Sequence, residues 1–236
     1  EEYWLSLPAP AAAVGLDPDE WILRRVIEPI IDPTFASGVL LVNGIDWATY
    51  GAEAAASYEN RAFWGDLEID FWDYFADPGG YPSTLPAPRG HGRVPAAVLG
   101  EYLALIWVGN NYNGDLDGWW NTSIQPYLEA GGNVLLMTRM GEQFLDAWMR
   151  DYLGVTVTGT NLTLYDCISV HPDLGSIART GTQSYGMHFS RTLAQPTSTL
   201  LFEARQNFNP DVGIGVIRVP EGGGTHNFGG GQFAFL

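Results

Sequence analysis

Lysine is missing from this chain of 236 residues, cysteine occurs once (Cys167), and every one of the eleven basic residues is an arginine. Against them stand 27 acidic residues, giving a formal charge of −16. Such a field repels the phosphates of nucleic acid and the headgroups of anionic membranes, so neither is expected as a partner. No apolar run approaches the roughly 20 residues needed to span a bilayer. A single cysteine excludes an internal disulfide framework and a thiolate-rich zinc site. His91, His171, His188 and His226 are scattered, with no H-E-x-x-H pattern to assemble a metal centre. Also missing are G-x-S-x-G, a phosphate-binding G-x-x-x-x-G-K-S/T, and a G-x-G-x-x-G after the first strand.

What the chain does contain is core. Its hydrophobic content is 46% and its aromatic content 13%, which excludes intrinsic disorder and suits one large domain. The composition fits an exported bacterial protein. The first residues, EEYWLSLPAP, and the last, GGGQFAFL, resemble cuts through a longer polypeptide, so neighbouring domains of the same chain are expected partners. Residues 1 to 37 carry Pro8, Pro10, Pro18, Pro29 and Pro33 and are expected to be a linker or the end of a preceding β domain.

From residue 38 to 236 the pattern is regular. GVLLVNGID (38 to 46) is a continuous apolar run, expected as a parallel strand buried on both faces. An Ala- and Glu-rich stretch from Tyr50 to Trp64 predicts a helix closed by Gly65, and LEIDFWDYF (67 to 75) a second strand. A Pro-rich loop from Ala76 to Pro95 and a short helix from Val94 to Tyr102 precede the strand LALIWVGNN (103 to 111). A helix from Trp119 to Ala130, the strand NVLLMTRM (133 to 140), a helix over 141 to 154 and the strand VTVTG (155 to 159) complete the alternation. Strand and helix in turn argue for an α/β fold, a three-layer doubly wound and mainly parallel sheet with helices on both faces. STLLFEAR (198 to 205), VGIGVIRVP (212 to 220) and GQFAFL (231 to 236) have no helices between them and are expected as antiparallel C-terminal edge strands.

In such sheets a ligand binds beyond the carboxyl ends of the strands. The pocket candidates are therefore Asn43, Asp46 and Trp47 after the first strand, Asn110 and Asn111 after the third, and Arg139 and Glu142 after the fourth. NGDLDG offers Asn113, Asp115 and Asp117 at alternate positions, a weak calcium loop. Ile124 stands where an EF-hand would need its bidentate Glu, which rejects that motif; no other cofactor is expected. Trp47, Trp119 and Trp120 lie where flat rings could meet a small-molecule or carbohydrate ligand. Glu68 and Asp70, a possible acid pair, alternate along a strand and are expected on its solvent face.

NVLLMTRMGEQ resembles the strand, sharp turn and helix of class I glutamine amidotransferase-like (flavodoxin-like) domains, in which a Gly-x-Cys-x-Gly elbow presents a nucleophilic cysteine. In that register Met137 stands at the first Gly, Arg139 at the cysteine and Gly141 at the last Gly. Arginine stays protonated at any usable pH and cannot attack a carbonyl, and Cys167 lies in LYDCISV without an elbow. With ALIWVGN and YLEAGGNVLLM, the likeness implies a non-catalytic member attached to a larger secreted bacterial protein. LDPDEWILRRV (16 to 26) is similar to the closing strand of the β-sandwich that follows the catalytic domain in some secreted metallopeptidases of the aminopeptidase type. The resemblance thus implies an accessory binding or packing domain and no catalytic residues in this segment. Two rivals stand beside it: a hydrolase using Asp46 or Glu142 as base with Arg139 holding an anion, and a carbohydrate-binding module.

Overall fold

A computed structural model describes residues 27 to 75, 80 to 111, 114 to 161, 166 to 178, 189 to 206, 209 to 220 and 230 to 236. The molecule mixes helices and strands around one large, mostly parallel sheet, an α/β arrangement. Its centre is built from the apolar runs: β1 (Ser37–Gly44), β2 (Ile69–Asp73), β3 (Tyr102–Gly109) and β4 (Asn133–Thr138). Parallel ladders join β2 to β1, β1 to β3 and β3 to β4. β1 is buried through Leu40, Leu41 and Val42 because both of its faces are covered.

The helices are shorter than the sequence predicts. The stretch from Tyr50 to Trp64 forms α1 (Trp47–Tyr58) and a separate turn, α2 (Arg61–Trp64), which ends at Gly65 in a positive-φ conformation. Asp46 caps α1 by accepting the Ala48 N–H. After α3 (Ala96–Leu99), the expected helix at 119 to 130 divides into α4 (Asp115–Asn121) and α5 (Ile124–Glu129), with Thr122 and Ser123 between them. The expected helix at 141 to 154 divides too, into a 3₁₀ turn (Gly141–Gln143) and α6 (Ala147–Leu153). Asp146 starts α6 by accepting the Met149 N–H, and Gly154 closes it in the left-handed conformation. Pro126 is accommodated in the first turn of α5, where its missing N–H is not needed.

One face of the sheet packs Leu41, Phe71 and Ile106 against Trp47, Ala54 and Tyr58 of α1. The other packs Leu40, Val42, Leu105 and Trp107 against Trp119, Tyr127, Met149 and Leu153 of α4 to α6. The C-terminal strands depart from expectation in one respect. β8 (Thr199–Gln206) and β9 (Asn209–Arg218) are antiparallel, but β10 (Phe233–Phe235) inserts between β4 and β9 and runs parallel to β4. A strand not expected from the sequence, β6 (Asp166–Ser169), pairs with β8 and forms the far edge. β5 (Val155–Asn161) leaves the large sheet to form a two-stranded antiparallel sheet with β7 (Phe189–Ala194). Its short Thr/Val alternation specified a strand but not a neighbour. No described helix is long and apolar enough to cross a membrane. The stretch at 16 to 26 and the glycine-rich residues 221 to 229 lie outside the described residues.

Candidate functional site

In the strand order β2-β1-β3-β4 the connection from β1 leads to one side and the connection from β2 crosses to the other, so the order switches between β1 and β3, where open α/β sheets leave a crevice. Side chains gather at the strand ends on both sides of it, one cluster joining β1 to β2 and one carboxylate set between β1 and β3. On the face of α1, Asn43 at the end of β1 and Asp73 at the end of β2 point the same way as Leu41 and Phe71. The Asp73 carboxylate has no solvent exposure; it accepts hydrogen bonds from Asn43 Nδ2 and from the indole Nε1 of Trp47, both at 3.0 Å. Asn43 Oδ1 in turn accepts from the Tyr58 hydroxyl at 2.9 Å and from Ile45 N at 3.2 Å. Trp47 packs edge-on to Tyr58 and Tyr81, with centroids 6.2 and 5.3 Å away.

A partly exposed histidine, His91, adjoins this cluster. Its Nδ1 lies 2.9 Å from the Phe75 carbonyl and 3.9 Å from Asp73 Oδ2, and its side chain is 34% exposed. Burial pushes the Asp73 carboxyl above its ordinary value, and the bonds from Asn43 and Trp47 and the nearby His91 offset only part of that shift. Burial, then the Asp73 charge, raise Tyr58 strongly and Tyr81 to about 12. These are protonated donors, not bases.

On the opposite face the crevice is closed by Asp115, the first residue of α4. It is fully buried, and its Oδ2 accepts the Asn110 N–H at 3.0 Å. Gly44 and Gly109 make the room: a Cβ on Gly109 would stand 2.6 Å from Asp115 Oδ2, and one on Gly44 2.9 Å from Asp115 Cβ. An inward carboxylate fits only because both strands end in glycine.

The pocket candidates are thus divided among several jobs. Asn43 and Trp47 meet at Asp73; Asp46 is a helix cap that also accepts from the Thr49 hydroxyl at 2.8 Å. Asn110 is buried beside Asp115, whereas Asn111 adopts a left-handed conformation and its amide donates to Gln143 Oε1. Glu142 is tied to β7, its N–H donating to Ser190 Oγ at 3.1 Å and its carboxylate accepting from the same hydroxyl at 2.7 Å. Arg139 N donates to the Gly109 carbonyl at 3.2 Å, which links the ends of β3 and β4. The sharp turn follows at Met140, a non-glycine residue with φ of 56°.

Of the calcium candidates, Asp115 faces inward and Asp117 is exposed, so the alternate spacing sends the two carboxylates to different environments; Asn113 lies outside the described residues. No group of three or more His, Cys, Asp or Glu gathers among the described residues in a way that suits a metal. Trp47 and Trp119 are buried, and a buried ring has no face to offer a sugar. Trp119 instead donates to the Phe144 carbonyl at 2.7 Å. Cys167 sits on β6 at the far edge of the sheet, its thiol pushed up by burial and by Asp166. That shift disfavours a reactive thiolate.

Asp73 and His91 escaped the sequence reading. A signal was present: in LEIDFWD the acids Glu68 and Asp70 fall on one face, but Asp73 falls on that of Ile69 and Phe71. An acid on the apolar parity of a strand is a buried acid in need of donors. Comparison of the chain with protein-family models, with curated proteins and with solved structures returned no match.

Proposed function

We propose that residues 38 to 236 are a doubly wound, three-layer amidotransferase-like domain without catalysis, serving as a binding and packing module beside a hydrolytic domain of metallopeptidase type in an exported bacterial protein. The observation that carries this reading is Arg139. It stands at the turn after β4, where the resembled family keeps its nucleophile, and it contributes a backbone hydrogen bond between strand ends. A guanidinium cannot serve as the nucleophile. Asp115 supports the same reading, since it stands against Gly44 and Gly109 at the strand ends and takes up space that a substrate would need.

Assays of the chain for glutamine and simple ester hydrolysis are expected to show no turnover above buffer. Turnover abolished by Cys167→Ala or Arg139→Ala would sink the proposal. A second reading, a hydrolase with non-cysteine chemistry, has one observation in its favour: the buried Asp73 carboxylate behind the partly exposed His91 imidazole. The Phe75 carbonyl accepts from His91 Nδ1 and so orients the imidazole, which leaves Nε2 for work as a general base. It predicts turnover that is lost in His91→Ala and kept in Cys167→Ala, and absence of any turnover removes it.

A further inference from the structure

Two hollows open along the amino-terminal half of β2, at the other end of the strand from Asp73. One, of about 290 Å³, is lined by Tyr58, Trp64, Ile69, Phe71 and Leu85, with Glu59 and Arg61 among its walls. The second, of about 750 Å³, brings in Asp66, Glu68, Asp70 and Tyr102. Arg61, Leu67, Ile69 and Pro86 line both, so the two form a continuous groove. Beside it, Phe63 is 70% exposed and Leu67 47%, more apolar surface than a solvated turn requires.

The groove runs along an open backbone edge. β2 is the outermost strand on its side of the sheet, and Tyr74 N donates inward to the Asn43 carbonyl. The odd-numbered residues therefore turn their peptide groups outward: the Phe71 carbonyl accepts from Arg89 N at 2.8 Å, and Asp73 N donates to the Gly90 carbonyl at 3.1 Å. That cover stops short of the groove. Among the described residues the outward Ile69 N–H and C=O and the Phe71 N–H have no backbone partner. An unpaired strand edge is a template for another extended chain.

Charge selects which chain. Asp66 and Glu68 are exposed and have no ion-pair partner among the described residues, while Asp70 shares Arg89 with Glu101 at 3.5 and 3.2 Å. A second copy of this lysine-free molecule, itself carrying −16, would be repelled. We propose that the groove docks an extended segment of a partner polypeptide in which bulky apolar and basic residues alternate. Paired beside Ile69, such a segment places its apolar residue on the Phe71 and Leu85 side. Its neighbours then fall on the opposite face, beside Glu68 and Asp70, which favours lysine or arginine there. The inference rests on the reading as a packing module for its choice of a polypeptide partner.

The test titrates the chain with the peptide acetyl-Lys-Leu-Lys-Phe-Lys-amide and follows backbone and indole amides by NMR. Saturable shifts are expected at Ile69, Phe71 and the Trp64 indole, with affinity reduced about tenfold in the Asp66→Lys, Glu68→Lys double variant. A Glu-Leu-Glu-Phe-Glu peptide is expected to leave the spectrum unchanged. Circular dichroism checks that the double variant, whose changes are both on exposed residues, keeps its fold. Absence of saturation up to about 1 mM peptide, equal binding of the acidic peptide, or shifts spread over the surface and unaffected by the double variant would overturn the inference. Lack of binding without turnover removes the groove alone, whereas turnover in the hydrolysis assays removes the packing module whatever the peptide does.

Discussion

At the scale of single residues, Asp73 is a charge held out of water by three side chains. Asn43 and Trp47 donate to its oxygens, and Tyr58 fixes Asn43 from behind. Because burial raises the folded-state pKa of Asp73 above its ordinary value, protonation favours the fold. Its ionised form therefore contributes instability that is absent well below the ordinary carboxylate value and complete once pH has passed the raised folded value. Asp73→Asn removes this contribution. The difference in melting temperature, variant minus native, is expected to increase from about pH 4 to about pH 7, whatever constant offset the amide introduces. Thermal melts at a series of pH values check this, and a flat difference would mean that Asp73 does not titrate under strain. The cluster was only half legible in the sequence. Asn43 and Trp47 were visible as strand-end residues, but that they converge on Asp73 depends on β1 and β2 lying side by side in register.

At the scale of elements, the turn between β4 and the 3₁₀ segment is the most informative. Met140 holds a left-handed backbone conformation that costs an L side chain roughly 1 kcal/mol, and glycine adopts it freely. Met140→Gly is expected to stabilise the chain by a few tenths of a kcal/mol, about 0.5 at most, net of the entropy glycine adds to the unfolded state. Urea denaturation measures this; destabilisation would show that the Met140 side chain contributes packing that outweighs the backbone term. The turn's position could be read from MTRMGEQ. Its consequence for the following helix could not, because Phe144 and Leu145 are buried ahead of Asp146, and their burial delays the start of α6 to a residue that can cap it. Helices α4 and α5 show the same limit: the sequence predicts one helix from Trp119 to Ala130, but Thr122 takes an extended conformation, its hydroxyl bonding back to the Gly118 carbonyl, and ends the first segment.

At the scale of the whole molecule, the dominant quantity is charge. A formal −16 with no lysine to relieve it makes the compact state repel itself. Raising ionic strength from about 0.05 to about 0.5 M is expected to increase the melting temperature, since screening shortens the range of that repulsion. Scanning calorimetry in sodium chloride tests it, and a fall would mean that attractive pairs such as Arg93 with Glu28 outweigh the net field. The same charge gives the groove along β2 its preference for basic partners.

By itself the sequence determined the elements whose signal is local: the four central strands and the buried apolar runs that suit them to a sheet covered on both faces. Tertiary structure decided what depends on pairing across distance. β10 joins β4 through Phe233 and Val134, residues about a hundred positions apart, and no local pattern states which apolar strand becomes its neighbour. β5 and β7 separate into their own ribbon for the same reason. The inward turn of Asp115 required glycine at the ends of two different strands, and the burial of Asp73 required donors from a third position along the chain. Periodicity reports which face of an element is apolar; only packing determines what that face meets.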